Sequence, residues 1–110
     1  MASTRDITLL SLSERAASAD GGTFDIDRAC SGVFYLRVTA CTGGADTLDV
    51  TIQDSPDGTT WYTAVAFTQA TAATTERKTV ANLGRYLRAI GVNGAGATAT
   101  YSVHAHVNEA

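Results

Sequence analysis

His104 and His106 occupy alternate positions in TATYSVHAHV. Alternate residues of a strand share one face, so both imidazoles could turn toward one metal ion. A zinc site needs three or four protein ligands, and no other His, Cys or carboxylate is spaced to complete such a set. A polar strand face is therefore the expected role of the pair. Asp25 and Asp27 in TFDID repeat the same spacing and could work as a general acid beside a base, but a solvated strand face accounts for them equally well. The serines form no G-x-S-x-G elbow. The glycines of NGAGA precede no helix, so they make no phosphate cradle. No nucleophile, base or metal constellation is evident, and the expectation is a non-enzyme without catalytic residues, metal or cofactor.

Arg85 and Arg88 in LGRYLRAI point to opposite faces if the segment is a strand, with Tyr86 and Arg88 on one side. Arg88 between apolar neighbours should need a carboxylate or carbonyl partner. An ion pair within the sheet, or an aliphatic stem covering core, is the plain expectation. An inter-subunit contact is the alternative, since Arg and Tyr are favoured at interface centres.

The segment DSPDGTTW, from Asp54 to Trp61, gathers acids, the only proline and the only tryptophan. A calcium loop of the EF-hand type wants acids at alternate positions and a closing glutamate, and Asp54 and Asp57 have the wrong spacing. Pro56 instead suits the second position of a type I turn, with Asp57 and Gly58 following in the preferred order. A turn between two strands is expected, with Trp61 inward in phase with Val65 and Phe67.

These residues must be positioned by strands. In VFYLRVTA, Phe34, Leu36, Val38 and Ala40 alternate with polar positions. Leu48, Val50 and Ile52 do so in TLDVTIQD, and Tyr101, Val103, Ala105 and Val107 in TATYSVHAHV. Strict alternation marks half-buried antiparallel strands. Asp6 to Leu12, Thr23 to Asp27, Thr75 to Val80 and Arg85 to Val92 are less regular candidates. RYLRAIGV is apolar on both faces apart from its arginines and should lie centrally in a sheet. Gly/Asp-rich breaks separate about eight strands, which reads as an all-β protein, a single antiparallel β-sandwich. LSERAASA is the one place for a helical turn. Residues 1–22 are expected as an N-terminal arm with the first strand, and 23–110 as the sandwich domain.

The chain has 110 residues, 17% of them charged and 45% hydrophobic, with net charge −3. That composition is globular, and the acidic balance argues against sequence-independent nucleic-acid binding. No run approaches the ~18 apolar residues of a membrane span. The N-terminus lacks a long apolar region, so synthesis without a signal peptide in a cytoplasm is expected. Cys30 and Cys41 would sit at opposite ends of one extended strand, roughly 30 Å apart at ~3.3 Å per residue, too far for a bridge. Free thiols are expected.

LDVTIQDSPDGTTWYT, AFTQ, NLGRYLRA and ATYSVHAHV, with the leader ITLLSLSERAASADGG, together resemble small β-sandwich head decoration (cement) proteins of tailed bacteriophages. The resemblance covers roughly residues 7–107 and rests on structural rather than binding motifs, so it transfers no binding residue. It implies an Ig-like or jelly-roll fold and a virion location on the capsid surface. It also implies binding to the major capsid protein lattice as a homo-oligomer, without catalysis, nucleic acid or membrane. The residues leave two other readings open. One is a carbohydrate-binding or adhesin-like module using Trp61, Tyr62 or Tyr35 as a stacking platform. The other is a tail-tube or connector subunit.

Overall fold

The computed structural model describes residues 4–27, 29–43 and 46–109. It is an all-β sandwich of nine strands: β1 (Thr4–Arg15), β2 (Ala19–Asp20), β3 (Phe24–Asp25), β4 (Ala29–Thr42), β5 (Leu48–Ser55), β6 (Tyr62–Ala66), β7 (Thr74–Val80), β8 (Tyr86–Asn93) and β9 (Thr98–Glu109). The first sheet runs β1-β9-β4-β7. The second runs β2-β8-β5-β6, with β3 also on β8. All pairs are antiparallel.

The pairing settles the choice between Ig-like and jelly-roll. β1 pairs β9, β2 and β3 pair β8, β4 pairs β7, and β5 pairs β6. The first half of the chain is thus laid antiparallel on the second half, in reverse order, and the double ribbon is rolled into two sheets. That is a jelly roll, with β2 and β3 as two pieces of one interrupted edge strand. RYLRAIGV is central, as its two-sided apolarity demands: β8 lies between β5 and the β2/β3 edge.

The core fills the space between the sheets. Phe34, Leu36, Val38, Tyr101, Val103 and Val107 face Leu48, Val50, Ile52, Leu87 and Ala89, all nearly or fully buried. Two glycines allow the close approaches. A Cβ on Gly91 would collide with the Tyr101 hydroxyl, and one on Gly84 would come within 2.8 Å of the Ser55 backbone.

Several expectations change because bulges shift the phase by one residue, which moves side chains to the other face. In β6, Val65 pairs Ile52 while Thr63 pairs Gln53, so Ala64 is the extra residue. Everything before it is turned over. Trp61 therefore lies outside the core, partly exposed, whereas Val65 and Phe67 keep their inward phase. A shift between Val38 and Ala40 likewise exposes Ala40 and buries Cys41. Two shifts in β1 bury the consecutive residues Leu9 and Leu10, which is why that segment looked irregular. LSERAASA forms no helix; its first part belongs to β1. Within the stretch 1–22, expected as an N-terminal arm with the first strand, residues 4–15 are an edge strand paired along β9, while residues 1–3 lie outside the described residues.

The β7 edge is guarded by charge. β7 carries Glu76 and Lys78 on its inward phase, paired with each other at 3.3 Å, and Glu76 also accepts from the Thr68 amide at 2.9 Å. Inward-pointing charge on an edge strand discourages the addition of a foreign strand.

Candidate functional site

Each residue singled out for chemistry has a structural partner. In β9, His106 Nε2 lies 2.8 Å from Asp6 Oδ1 of β1. His104 Nδ1 lies 3.3 Å from Thr8 Oγ1 on the same strand. The two rings share the outer face of the first sheet, as their spacing implied. Among the described residues, no group of three His, Cys, Asp or Glu is placed to hold a metal ion.

Asp25 and Asp27 do not act as a pair. Asp25 receives both Nε and Nη2 of Arg85, at 3.0 and 2.9 Å, and its Oδ1 also accepts the Asp27 amide at 2.8 Å. The Arg85 hydrogen bonds, then that amide, lower the Asp25 pKa, and Asp25 in turn raises that of Arg85. A carboxylate held as an ion by a bidentate guanidinium ties β3 to the start of β8.

Arg88 finds the carbonyl that its surroundings required. Its Nε donates to Gln53 Oε1 at 2.6 Å, and its guanidinium lies 4.2 Å from the centre of the Trp61 ring. Cation–π contact of this kind contributes about 0.5–1 kcal/mol at exposed sites. It fixes the ring that the β6 bulge turned outward.

The DSPDG segment is a turn built by side chains. Ser55, fully buried, accepts the Gly58 amide at 2.8 Å on its hydroxyl and donates to Asp57 Oδ1 at 3.0 Å. The same Asp57 oxygen accepts the Thr59 and Thr60 amides at 2.8 and 2.9 Å. The Thr60 and Thr59 amides, then the Ser55 hydroxyl, lower the Asp57 pKa. Gly58 has φ 79°, where a side chain is strained. Asp54 Oδ2 accepts the Gly84 amide at 2.7 Å, and Gly84 lies against Ser55. DSPDG and NLGRY are therefore one unit, a hairpin end latched to the start of β8. That latch is the physical content of their joint occurrence.

The aromatic platform does not assemble. Trp61 and Tyr62 are successive residues on opposite sides of β6, one face of Trp61 is covered by Arg88, and Tyr35 belongs to the other sheet. Cys30 and Cys41 are free. Burial, then the negative charge of Asp46, raises the Cys41 thiol pKa.

Sequence reasoning overlooked the outer surfaces of the two sheets. On the first, Tyr35 (39% exposed) pairs Arg77 on β7 and His104 on β9. A groove of about 380 Å³ there is lined by Tyr35, Leu36, Arg37, Thr75, Glu76 and Arg77. On the second, Val92 is 46% exposed opposite Asp49, and Ile90 lies opposite Asp20. The polar phase of VFYLRVTA and the second apolar phase of RYLRAIGV were the available signals.

No family model matches the chain, and no curated protein sequence matches it. Solved structures do share its fold. The PBSX exported protein XepA superposes on all of this chain with TM-score 0.64 at 17% identity, and this chain spans only 37% of that protein. The SPBc2 prophage-derived protein YomS superposes on 99% of this chain and 96% of its own, with TM-score 0.57 at 10% identity. The VP2 subviral particle of infectious bursal disease virus matches 98% of this chain and 32% of its own, with TM-score 0.60 at 14% identity. At these identities the likeness is one of fold: similar sandwiches occur in phage-derived and viral proteins.

Proposed function

We propose that this protein is a structural subunit of a bacteriophage particle, and more specifically a head decoration protein that binds and stabilises the capsid lattice without turnover. The observation that carries the reading is the end-to-end match of the jelly roll to a prophage-derived protein of nearly the same extent, 99% of one chain on 96% of the other. A viral particle protein with the same fold supports it. So does the resemblance of several sequence stretches to decoration proteins, stretches that fold into the Asp54–Gly84 latch and the β9 strand. Many copies bound across capsomer boundaries would resist internal pressure through modest contacts that sum.

Adding purified protein to undecorated heads tests this. Binding should saturate at a fixed number of copies, and the temperature of genome loss should rise with occupancy. Heads that gain neither mass nor thermal resistance at saturating protein overturn the decoration role, and particles labelled along the tail instead place it in the tail tube.

A carbohydrate-binding module is the second reading, favoured by the single exposed ring of Tyr62, at 59%. A glycan array that binds the wild type but not Tyr62→Ala would establish it.

A further inference from the structure

The outer faces of the two sheets carry complementary groups that the fold itself does not satisfy. On the first sheet, Arg37 and Arg77 are exposed on adjacent strands around Tyr35. Neither guanidinium has a hydrogen bond or ion pair within the chain among the described residues. The nearby Glu76 is engaged by Lys78 and by Thr68. Arg77 stands opposite Tyr35 and Arg37 opposite Thr75, so the two guanidiniums are diagonal neighbours and the fold keeps an uncompensated positive patch around a half-exposed tyrosine.

The second sheet mirrors it. Asp49 of β5 stands opposite Val92, and Asp20 of β2 opposite Ile90, so two carboxylates flank two apolar side chains of β8. Asp49 accepts only from the neutral Gln69 amide, at 3.1 and 3.3 Å. Asp20 accepts only the Gly22 amide, at 2.8 Å. Neither has a cation partner among the described residues. One face thus offers two guanidinium forks about an aromatic ring, and the other offers two carboxylates about an aliphatic pair. Guanidinium matches carboxylate geometry, and Arg and Tyr are enriched where interfaces are strongest.

We infer that the outer face of the first sheet of one copy docks on the outer face of the second sheet of the next, Arg37 and Arg77 meeting Asp20 and Asp49 around a Tyr35–Ile90/Val92 contact. The contact is heterologous, so copies stack in a ring or an open row according to the rotation between them. A basic face against an acidic one sets orientation and partner choice, while exposed ion pairs contribute little each. The association is therefore weak, salt-sensitive and additive over a lattice. This inference deepens the virion reading, which calls for many copies side by side. Its test uses the isolated protein, so self-association and head binding fail separately.

Sedimentation of the wild type, Arg37→Gln/Arg77→Gln and Asp20→Asn/Asp49→Asn at low salt, up to about 1 mM, decides it. All four replaced charges lie at the surface, and circular dichroism should show unchanged folding. The wild type should form species larger than a dimer that dissociate as salt rises. Each variant alone should be monomeric. An equal mixture of the two should stop at a one-to-one pair, because only one intact Arg face and one intact Asp face can then meet. A wild type that stays monomeric, association that survives either double substitution, or variants that fail to pair on mixing overturns the inference. A monomer that nevertheless saturates capsids would leave the decoration role standing without it.

Discussion

Replacing Tyr101 by Phe should stabilise this protein. Tyr101 is fully buried, and its hydroxyl has no hydrogen-bond partner among the described residues. It points at Gly91, whose missing side chain makes the room. A buried polar group left unsatisfied costs about 1–3 kcal/mol, and removing the oxygen forfeits only a few dispersion contacts. The expected gain is about 1 kcal/mol, a rise in Tm of about 4–8 °C for a domain near this size. Gly91→Ala is the complementary change. Its methyl would occupy the hydroxyl's place and lie 2.8 Å from Tyr101 Cζ, so overpacking should cost about 1–3 kcal/mol. With Tyr101→Phe in the background only the carbon clash remains, so the two changes should couple by at least about 0.5 kcal/mol. Urea unfolding of the four proteins, with m compared as well as the midpoint, measures this cycle. A Tyr101→Phe protein less stable than wild type by more than about 1 kcal/mol would mean the hydroxyl is bonded. Strict additivity would mean the two residues do not meet.

Burial raises the Tyr101 pKa, so the folded phenol stays neutral where the unfolded one ionises. Stability should therefore fall as pH rises past about 10, and Tyr101→Phe should flatten that fall in a pH series of melts. Asp25 and Asp57 have lowered pKa values, so their contribution is present above the ordinary carboxylate range and lost as pH falls through it. Asp57→Asn should blunt the acid limb of the same series. Trp61→Ala should cost about 1 kcal/mol, the scale of a partly exposed cation–π contact, rather than the ~3–5 kcal/mol of a buried aromatic; a thermal melt separates the two. Deleting residues 1–12 should unfold the protein, because it strips Leu9 and Leu10 from the core at about 1.5–3 kcal/mol each; a native circular-dichroism spectrum would contradict this. Gly58→Val should lower Tm, since φ is 79° there, whereas EDTA should leave Tm unchanged.

The sandwich was legible because strict alternation needs no tertiary knowledge. Tyr101, Val103, Ala105 and Val107 all face inward as their period requires, and the central place of β8 followed from its two apolar phases. Bulges were not legible. Ala64 carries no turn chemistry, yet as the extra residue in β6 it turns Trp61 away from the core. Leu9 and Leu10 are both buried for the same reason, and the adjacent apolar pair blurred the period that would have marked β1 as part of the sheet. The jelly-roll order depends on β1 meeting β9, at opposite ends of the chain, where local pattern carries no information. The opposed faces were out of reach too: that Arg37 and Arg77 lie unpaired depends on which strand is the neighbour of which, and Tyr35 pairs Arg77 only because β7 returns beside β4.

Cryo-electron microscopy of heads with and without the protein reads its structural place on the phage head. Added density should appear at a repeated lattice position, with the outline of a two-sheet sandwich, be lost when the protein is omitted and return when it is added back. Heads identical in both preparations, with the protein remaining in the unbound fraction, would contradict it.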